Sequence, residues 1–377
     1  MRAVPAGRKD DLSMIMNRVY VVIILLPLLA TCGQPEEDDA SYVVTIEEFS
    51  PENLSDIERI FAFESDGVGY AASVVLTERD GRYYRENYVL SKTEDRGRTW
   101  TPVWKGKGEC TTVSIYGDYL YYVTHISEDS NTTYSEIWRT GRDRIKPELM
   151  SRFDYGIYGF HVFNDSTYTY GYHKDDNTPL GKDTLKISND FGKTWRNIEM
   201  PADFSGISGL AYSKDVIYAS VSDDKGIFLY RKDIVTGEEK LFPSKFMYSM
   251  QASDNLFTTY PDMAFWEYDG GTMEIISSFR WNRGYGPYHP ANLFKKGDLV
   301  ICVASQYPGE VGKKQCIFGS IDGGYHWKPF LMGDDIRTNI LYEQGKIAEI
   351  PDKDGVSIIF GRGGSNLHIF TLKKKQE

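Results

Sequence analysis

Thr93-Glu94-Asp95-Arg96-Gly97-Arg98-Thr99-Trp100 returns twice in this 377-residue chain, as Ser188-Asn189-Asp190-Phe191-Gly192-Lys193-Thr194-Trp195 and as Ser320-Ile321-Asp322-Gly323-Gly324-Tyr325-His326-Trp327. A turn repeated with fixed spacing of hydroxyl, Asp, Gly and Trp implies a repeated supersecondary unit. Each copy suits a β-hairpin. The carboxylates of Asp95, Asp190 and Asp322 can accept backbone N–H groups across the turn, and Gly97, Gly192 and Gly324 can take left-handed backbone. Trp100, Trp195 and Trp327 each offer an indole to cover the hairpin, a burial worth a few kcal/mol.

Outward from the turns, the chain reads as one short strand after another. Tyr (27 in all), Val, Ile, Phe and Thr alternate with polar residues between Gly, Asp and Asn, as in Tyr119–Thr124, Val216–Val221 and Leu299–Ala304. Apart from a short helix expected at Pro51–Asp56, no stretch has helical periodicity, so the class is all-β. Asp95 and Asp190 are 95 residues apart, and Asp190 and Asp322 are 132 apart. These intervals divide into two units of about 47 residues and three of about 44, the length of a four-stranded propeller blade. The spacing predicts a β-propeller of seven blades over about residues 57–372, with boxes in blades 1, 3 and 6 and degenerate turns at 140–143, 236–239 and 268–271. Strand Tyr42–Ile46 is expected to pair with Leu367–Leu372 and close the ring, hiding two edges. Six blades is the competing count, because blade 5 (about 247–281) is short. The domain spans 42–377.

The pattern Ser/Thr-x-Asp-x-Gly-x-Thr-Trp resembles the Asp-box, or BNR repeat, of sialidases and related propellers. The resemblance implies that the box aspartates are structural and that their turns lie on the face away from the ligand site. It also raises a sialidase, which needs an Arg-Ile-Pro-type motif, further arginines on the substrate carboxylate, a Tyr/Glu nucleophile pair and an Asp acid/base. Arg59-Ile60-Phe61 and Arg144-Ile145-Lys146-Pro147 both depart from that motif. A two-carboxylate glycosidase is open in principle, but no spacing selects a pair. No catalytic residue is assigned.

Residues 17–32 combine a basic start, an apolar run from Val19 to Ala30 and Cys32. Twelve apolar residues fall short of the roughly 20 that cross a bilayer and fit a secretory signal over 1–31, of which 1–15 would be untranslated if Met14 or Met16 starts the chain. Leu29-Ala30-Thr31-Cys32 resembles the lipobox of bacterial lipoproteins, which implies lipidation at Cys32; Thr31 departs from the usual small residue. Residues 32–41, with Glu36-Glu37-Asp38-Asp39, read as a flexible acidic tether. An acidic run there resembles the signal that sends some lipoproteins to the cell surface, the periplasmic side of the outer membrane being the alternative.

Net charge is −11, and the leader removes four basic but only two acidic residues. Nucleic acid is therefore a poor partner. Cys302 and Cys316 flank a turn-rich stretch, 306–312, that could bring them into a disulfide in an oxidising compartment; pairing and two thiols are both open. Cys110 then reads as a buried small hydrophobe. No metal and no cofactor is expected, and the chain is expected to be a monomer.

With the boxes on one face, the other is built from second-to-third loops and blade-to-blade connections. The richest connection is 280–290, where Arg280, Trp281, Arg283, Tyr285, Tyr288 and His289 could grip a sugar, a carboxylate or a partner protein. Loops 173–178 and Lys313-Lys314 read as solvated surface, and Gly361–Gly364 as a turn. The expected function is a membrane-tethered, non-enzymatic binding module for a carbohydrate or a protein. A periplasmic immunity or inhibitor protein, an assembly scaffold and a sialidase-like hydrolase are the alternatives.

Overall fold

The computed structural model describes residues 42–51, 54, 60–79, 81–127, 133–173, 183–200, 204, 206–244, 249–252, 255–260, 264–280, 288–306, 315–333, 347–361 and 366–375. The leader, Cys32 and most of the expected helix at Pro51–Asp56 lie outside them. Blade 1 is β2 (Ile60–Phe63), β3 (Gly69–Arg79), β4 (Arg82–Thr93) and β5 (Thr101–Lys107). Blade 2 is β6 (Glu109–Tyr116), β7 (Tyr119–Ser127), β8 (Thr133–Gly141) and β9 (Glu148–Phe153); blade 3 is β10 (Ile157–Val162), β11 (Tyr168–His173), β12 (Asp183–Ser188) and β13 (Arg196–Asn197). Blade 4 is β14 (Gly206–Ser213), β15 (Val216–Ser222), β16 (Ile227–Asp233) and β17 (Glu239–Ser244); blade 5 is β18 (Ser249–Ala252), β19 (Asn255–Tyr260), β20 (Ala264–Asp269) and β21 (Ile275–Arg280). Blade 6 is β22 (Tyr288–Lys296), β23 (Leu299–Gln306), β24 (Gln315–Ser320) and β25 (Lys328–Gly333). Blade 7 is β26 (Ile347–Ile350), β27 (Gly355–Gly361) and β28 (Leu367–Lys374), completed by β1 (Tyr42–Phe49).

Seven four-stranded antiparallel sheets make this a seven-bladed propeller, and the six-bladed count falls. Blade 5 is a full blade despite its four-residue inner strand. Burial follows position in the blade. Second strands are buried on both faces between neighbouring blades, as along Ile217–Val221 of β15 and Gly355–Phe360 of β27. Outer strands such as β17 alternate between exposed and half-buried residues. Among the described residues, seven apolar clusters fill the seven clefts between blades, ending with Phe61, Trp100, Ile359 and Ile369 between blades 7 and 1. The core is thus a ring of seams.

The N-terminal strand closes the ring as expected, in unbroken register from Tyr42↔Lys374 to Phe49↔Leu367. Tyr42, Val44 and Ile46 pack on the blade 6/7 seam. Arg98, in the blade 1 box, pairs with Glu47 at 2.5 Å, and Lys328 of blade 6 lies 6.0 Å from the Tyr42 ring. Beside this clasp Asp352, its side chain almost wholly buried, takes the Lys373 ammonium at 2.7 Å, the Ser357 hydroxyl at 3.1 Å and the Asp354 amide at 3.0 Å, with Arg96 of blade 1 at 3.8 Å. Lys296 of blade 6 donates to the Asp352 carbonyl. Burial pushes the Asp352 carboxyl up, but Lys373 and its other donors outweigh that and hold it below the ordinary range.

Of the two states left open for Cys302 and Cys316, the structure has the thiols and not the bridge. The two stand on neighbouring strands but two positions out of register: Cys302 opposes Phe318 and Cys316 opposes Ala304. Both are buried and, with Cys110, carry thiols.

Candidate functional site

The three box turns are built alike. In the first, Thr93 Oγ1 donates to Asp95 Oδ1 at 2.8 Å and accepts from the Gly97 amide at 2.8 Å; the Thr99 amide and hydroxyl donate to the two Asp95 oxygens at 2.9 and 2.7 Å. Ser188, Asp190, Gly192 and Thr194 repeat this bond for bond. In the third, His326 replaces the Thr and still reaches Asp322 twice, by its amide at 2.9 Å and by ring Nδ1 at 2.5 Å. Trp100 and Trp195 donate their indole N–H to the carbonyls of Gly97 and Gly192. The degenerate turns keep the logic, with Asp233 taking the Val235 and Thr236 amides and Asp269 those of Gly271 and Thr272.

These bonds fix the carboxylates electrostatically. The Thr194 hydroxyl and amide, with Ser188, hold Asp190 at a pKa of about 2. Burial pushes Asp95 and Asp322 up, and the bonds from Thr99 and Thr93, or from His326 and Ser320, outweigh it and leave both lowered. Both oxygens of each carboxylate are engaged inside its own turn. The box aspartates are braces, and their turns join third to fourth strands on one face, hereafter the box face. Strand residues of neighbouring blades reach these turns: Tyr70 Oη donates to the Arg142 carbonyl, Ser151 to the Gly192 carbonyl and Tyr218 to the Gly270 carbonyl, while Arg96 donates to the Ser357 hydroxyl.

The loop face lies opposite. Of the sequence-predicted grip, Trp281, Arg283 and Tyr285 lie outside the described residues. Arg280 is the last residue of β21, opposite Ala264, and Tyr288 and His289 open the inner strand β22, opposite Gln306 and Ser305. The segment does join blade 5 to blade 6 on the loop face, but these three belong to strands, because the ladder extends to both ends of the connection. The six-residue grip therefore lies largely outside the described residues.

A different part of the loop face is better built and carries no sequence motif. β3 and β4 run on beyond their neighbours: pairing with β2 stops at Ile60↔Ala72 and pairing with β5 at Asn87↔Lys107, yet the hairpin continues to Arg79↔Arg82. A bulge between Val75 and Leu76 marks the base of this arm. Tyr84 is exposed on it, and Arg85 reaches across to Glu109 on blade 2 at 3.2 Å. The adjoining rim of blade 2 places Glu109, His125 and Ser135 in one cross-strand row and Cys110, Thr124, Glu136 and Arg152 in the next. Arg152 stacks on the Tyr134 ring at 3.7 Å and stands 3.9 Å from Glu136. Burial raises the Glu136 pKa, against Arg152 and the Trp138 indole; burial lowers that of His125, whose Nε2 lies 2.9 Å from the Ile157 carbonyl. Gly108 makes the crossing between the blades at φ +85°, where a Cβ would sit 2.3 Å from the His125 carbonyl oxygen. Among the described residues, no three His, Cys, Asp or Glu side chains come together as a metal site. The rim can offer guanidinium and aromatic faces to carboxylates, sugars or peptide.

No protein-family model matches the chain, and no curated protein matches it. Among solved structures, one described as YCF48 bound to D1 peptide is similar over 90% of this chain and 98% of its own, at 15% identity and a TM-score of 0.56. The β-propeller domain of the Trilobed protease from Pyrococcus furiosus, described as having an open velcro topology, is similar over 85% and 98%, at 14% identity and a TM-score of 0.50. Two prolyl endopeptidases are represented by a structure similar over 85% of this chain and 51% of its own, at 9% identity and a TM-score of 0.53. These likenesses show the fold. Unlike the archaeal domain, this ring is closed by β1.

Proposed function

We propose that this chain is a membrane-tethered binding propeller, anchored through Cys32, whose loop face holds a polypeptide segment of a partner protein. The reading is non-enzymatic. The observation that carries it is the blade 1 arm beside the blade 2 rim. A projecting two-stranded ribbon presents backbone edge groups to an extended peptide, while exposed Tyr84 and Arg85, with exposed Arg152 seated over the buried Tyr134 ring, offer side-chain recognition. Charges of both signs, Arg85 and Arg152 with Glu109 and Glu136, suit a polypeptide better than a uniformly anionic or neutral glycan. A peptide is also what the similar propeller YCF48 is described as holding. The segment 280–290 is the second contact region.

The test is binding of the purified propeller to peptide and glycan arrays, followed by titration of the best ligand against Tyr84→Ala/Arg85→Ala, Arg152→Ala and Arg280→Ala/Trp281→Ala/Arg283→Ala. Loss of the arm or rim side chains is expected to weaken peptide binding by about tenfold or more, the equivalent of 1.4 kcal/mol. Glycan binding unaffected by the arm, or turnover of a fluorogenic sialoside, would overturn the reading.

A further inference from the structure

The tether meets the propeller on one particular face. β28 enters from the loop face and leaves at the box face, so Tyr42, opposite Lys374, starts β1 at the box face, within reach of Lys328 just past the third box. Nine residues lie between Cys32 and Tyr42, and the ten Cα–Cα steps can span about 35 Å at full extension. A blade of seven- or eight-residue strands is about 25 Å tall. A tether starting at the box face would have to stretch past the whole blade to let the loop face meet the lipid.

The box face also carries apolar tips where turns are ordinarily polar. Phe191, Val235 and Tyr325 stand at the third-to-fourth strand turns of blades 3, 4 and 6, 49%, 72% and 70% exposed. Val43 beside the tether is exposed as well. Phe191 keeps this place at φ +64°, a left-handed conformation that costs a non-Gly residue. Three tips on three blades of one ring define a plane.

From these observations we infer that the box face is the membrane-apposed face, with Phe191, Val235 and Tyr325 seated among lipid headgroups and the loop face held outward. The inference rests on the Cys32 anchor. Aromatic and aliphatic tips partition into the headgroup boundary without any need for basic charge, which suits a chain of net charge −11. The contact is therefore insensitive to salt, unlike one made by lysines on anionic lipid.

The experiment uses the full lipid-modified chain in phosphatidylethanolamine/phosphatidylglycerol vesicles. A fluorophore sensitive to polarity is attached at Phe191→Cys, Val235→Cys or Tyr325→Cys, or at Asp224→Cys, an exposed loop-face site on the same blade as Val235; the native core thiols are buried. Expected are a blue shift and quenching by headgroup-region nitroxide lipids at 191, 235 and 325, retained in high salt, and neither effect at 224. Vesicle flotation distinguishes loss of the anchor from loss of the orientation. Protein that does not float removes the anchor and this inference with it. Protein that floats with unquenched tips, or with quenching at 224, overturns the orientation and leaves the anchor standing.

Discussion

Neighbouring positions of the box, taken from two different copies, should respond to substitution in opposite directions. Gly97 is left-handed at φ +87°, and a Cβ there would lie 2.7 Å from Ile359 Cδ1 and 3.1 Å from the Trp100 ring, so Gly97→Ala combines backbone strain with overpacking of the blade 7/1 seam. We expect a loss of about 2–4 kcal/mol in denaturant unfolding. Phe191 is left-handed too but points to solvent, and Phe191→Gly should gain about 0.5 kcal/mol, the relief of strain exceeding the added chain entropy. The box carboxylates set part of the acid limb. Asp190 is held at about 2, below its unfolded value of 3.8, so its contribution is complete above pH 4 and is lost as pH falls through 2. Asp190→Asn, which cannot titrate, should flatten the fall in Tm between pH 4 and 2 while leaving the pH 7 to 5 region parallel to the parent. Such roles were legible in the sequence, because carboxylate, glycine and hydroxyl act within eight consecutive residues.

A blade closed by a distant strand depends on more than local turns. Removing residues 42–49 would strip the fourth strand from blade 7 and bare the edge of β28 and the apolar seam that Tyr42, Val44 and Ile46 cover. We expect early loss of protection at Gly355–Lys374 in hydrogen exchange and concentration-dependent association through the open edge. Within the clasp, Asp352→Ala would leave Lys373 and Arg96 facing a buried gap, at a cost of about 2–3 kcal/mol measured by chemical denaturation. The more exposed Arg98–Glu47 pair should be worth under about 1 kcal/mol, and less in salt. The pairing of β1 with β28 could be read ahead of the structure, since both strands lacked partners. Asp352 could not, because its donors come from Lys373, Ser357, Asp354 and Arg96, on both sides of the ring seam.

Across the whole molecule, the three core thiols bear on resistance to oxidation. Burial raises Cys110 and Cys316 to about 12, so neither forms thiolate near neutrality. Alkylating reagent at pH 8 should label none of Cys110, Cys302 and Cys316 until the propeller unfolds, and reductant should leave Tm unchanged; a drop in Tm would point to a bridge. The sequence by itself determined the all-β class, the blade length, the positions of the boxes and the closing strand, because hairpin chemistry and strand alternation are local and the repeat counts the units. Only the tertiary structure decided the number of blades, the two-position offset that keeps Cys302 from Cys316, the strand placement of Arg280, Tyr288 and His289, and the arm. Each of these is a matter of register. How far β3 and β4 outrun β2 and β5, or which side chains meet across a seam, is set by hydrogen-bonded pairing between segments, and no single segment carries that information.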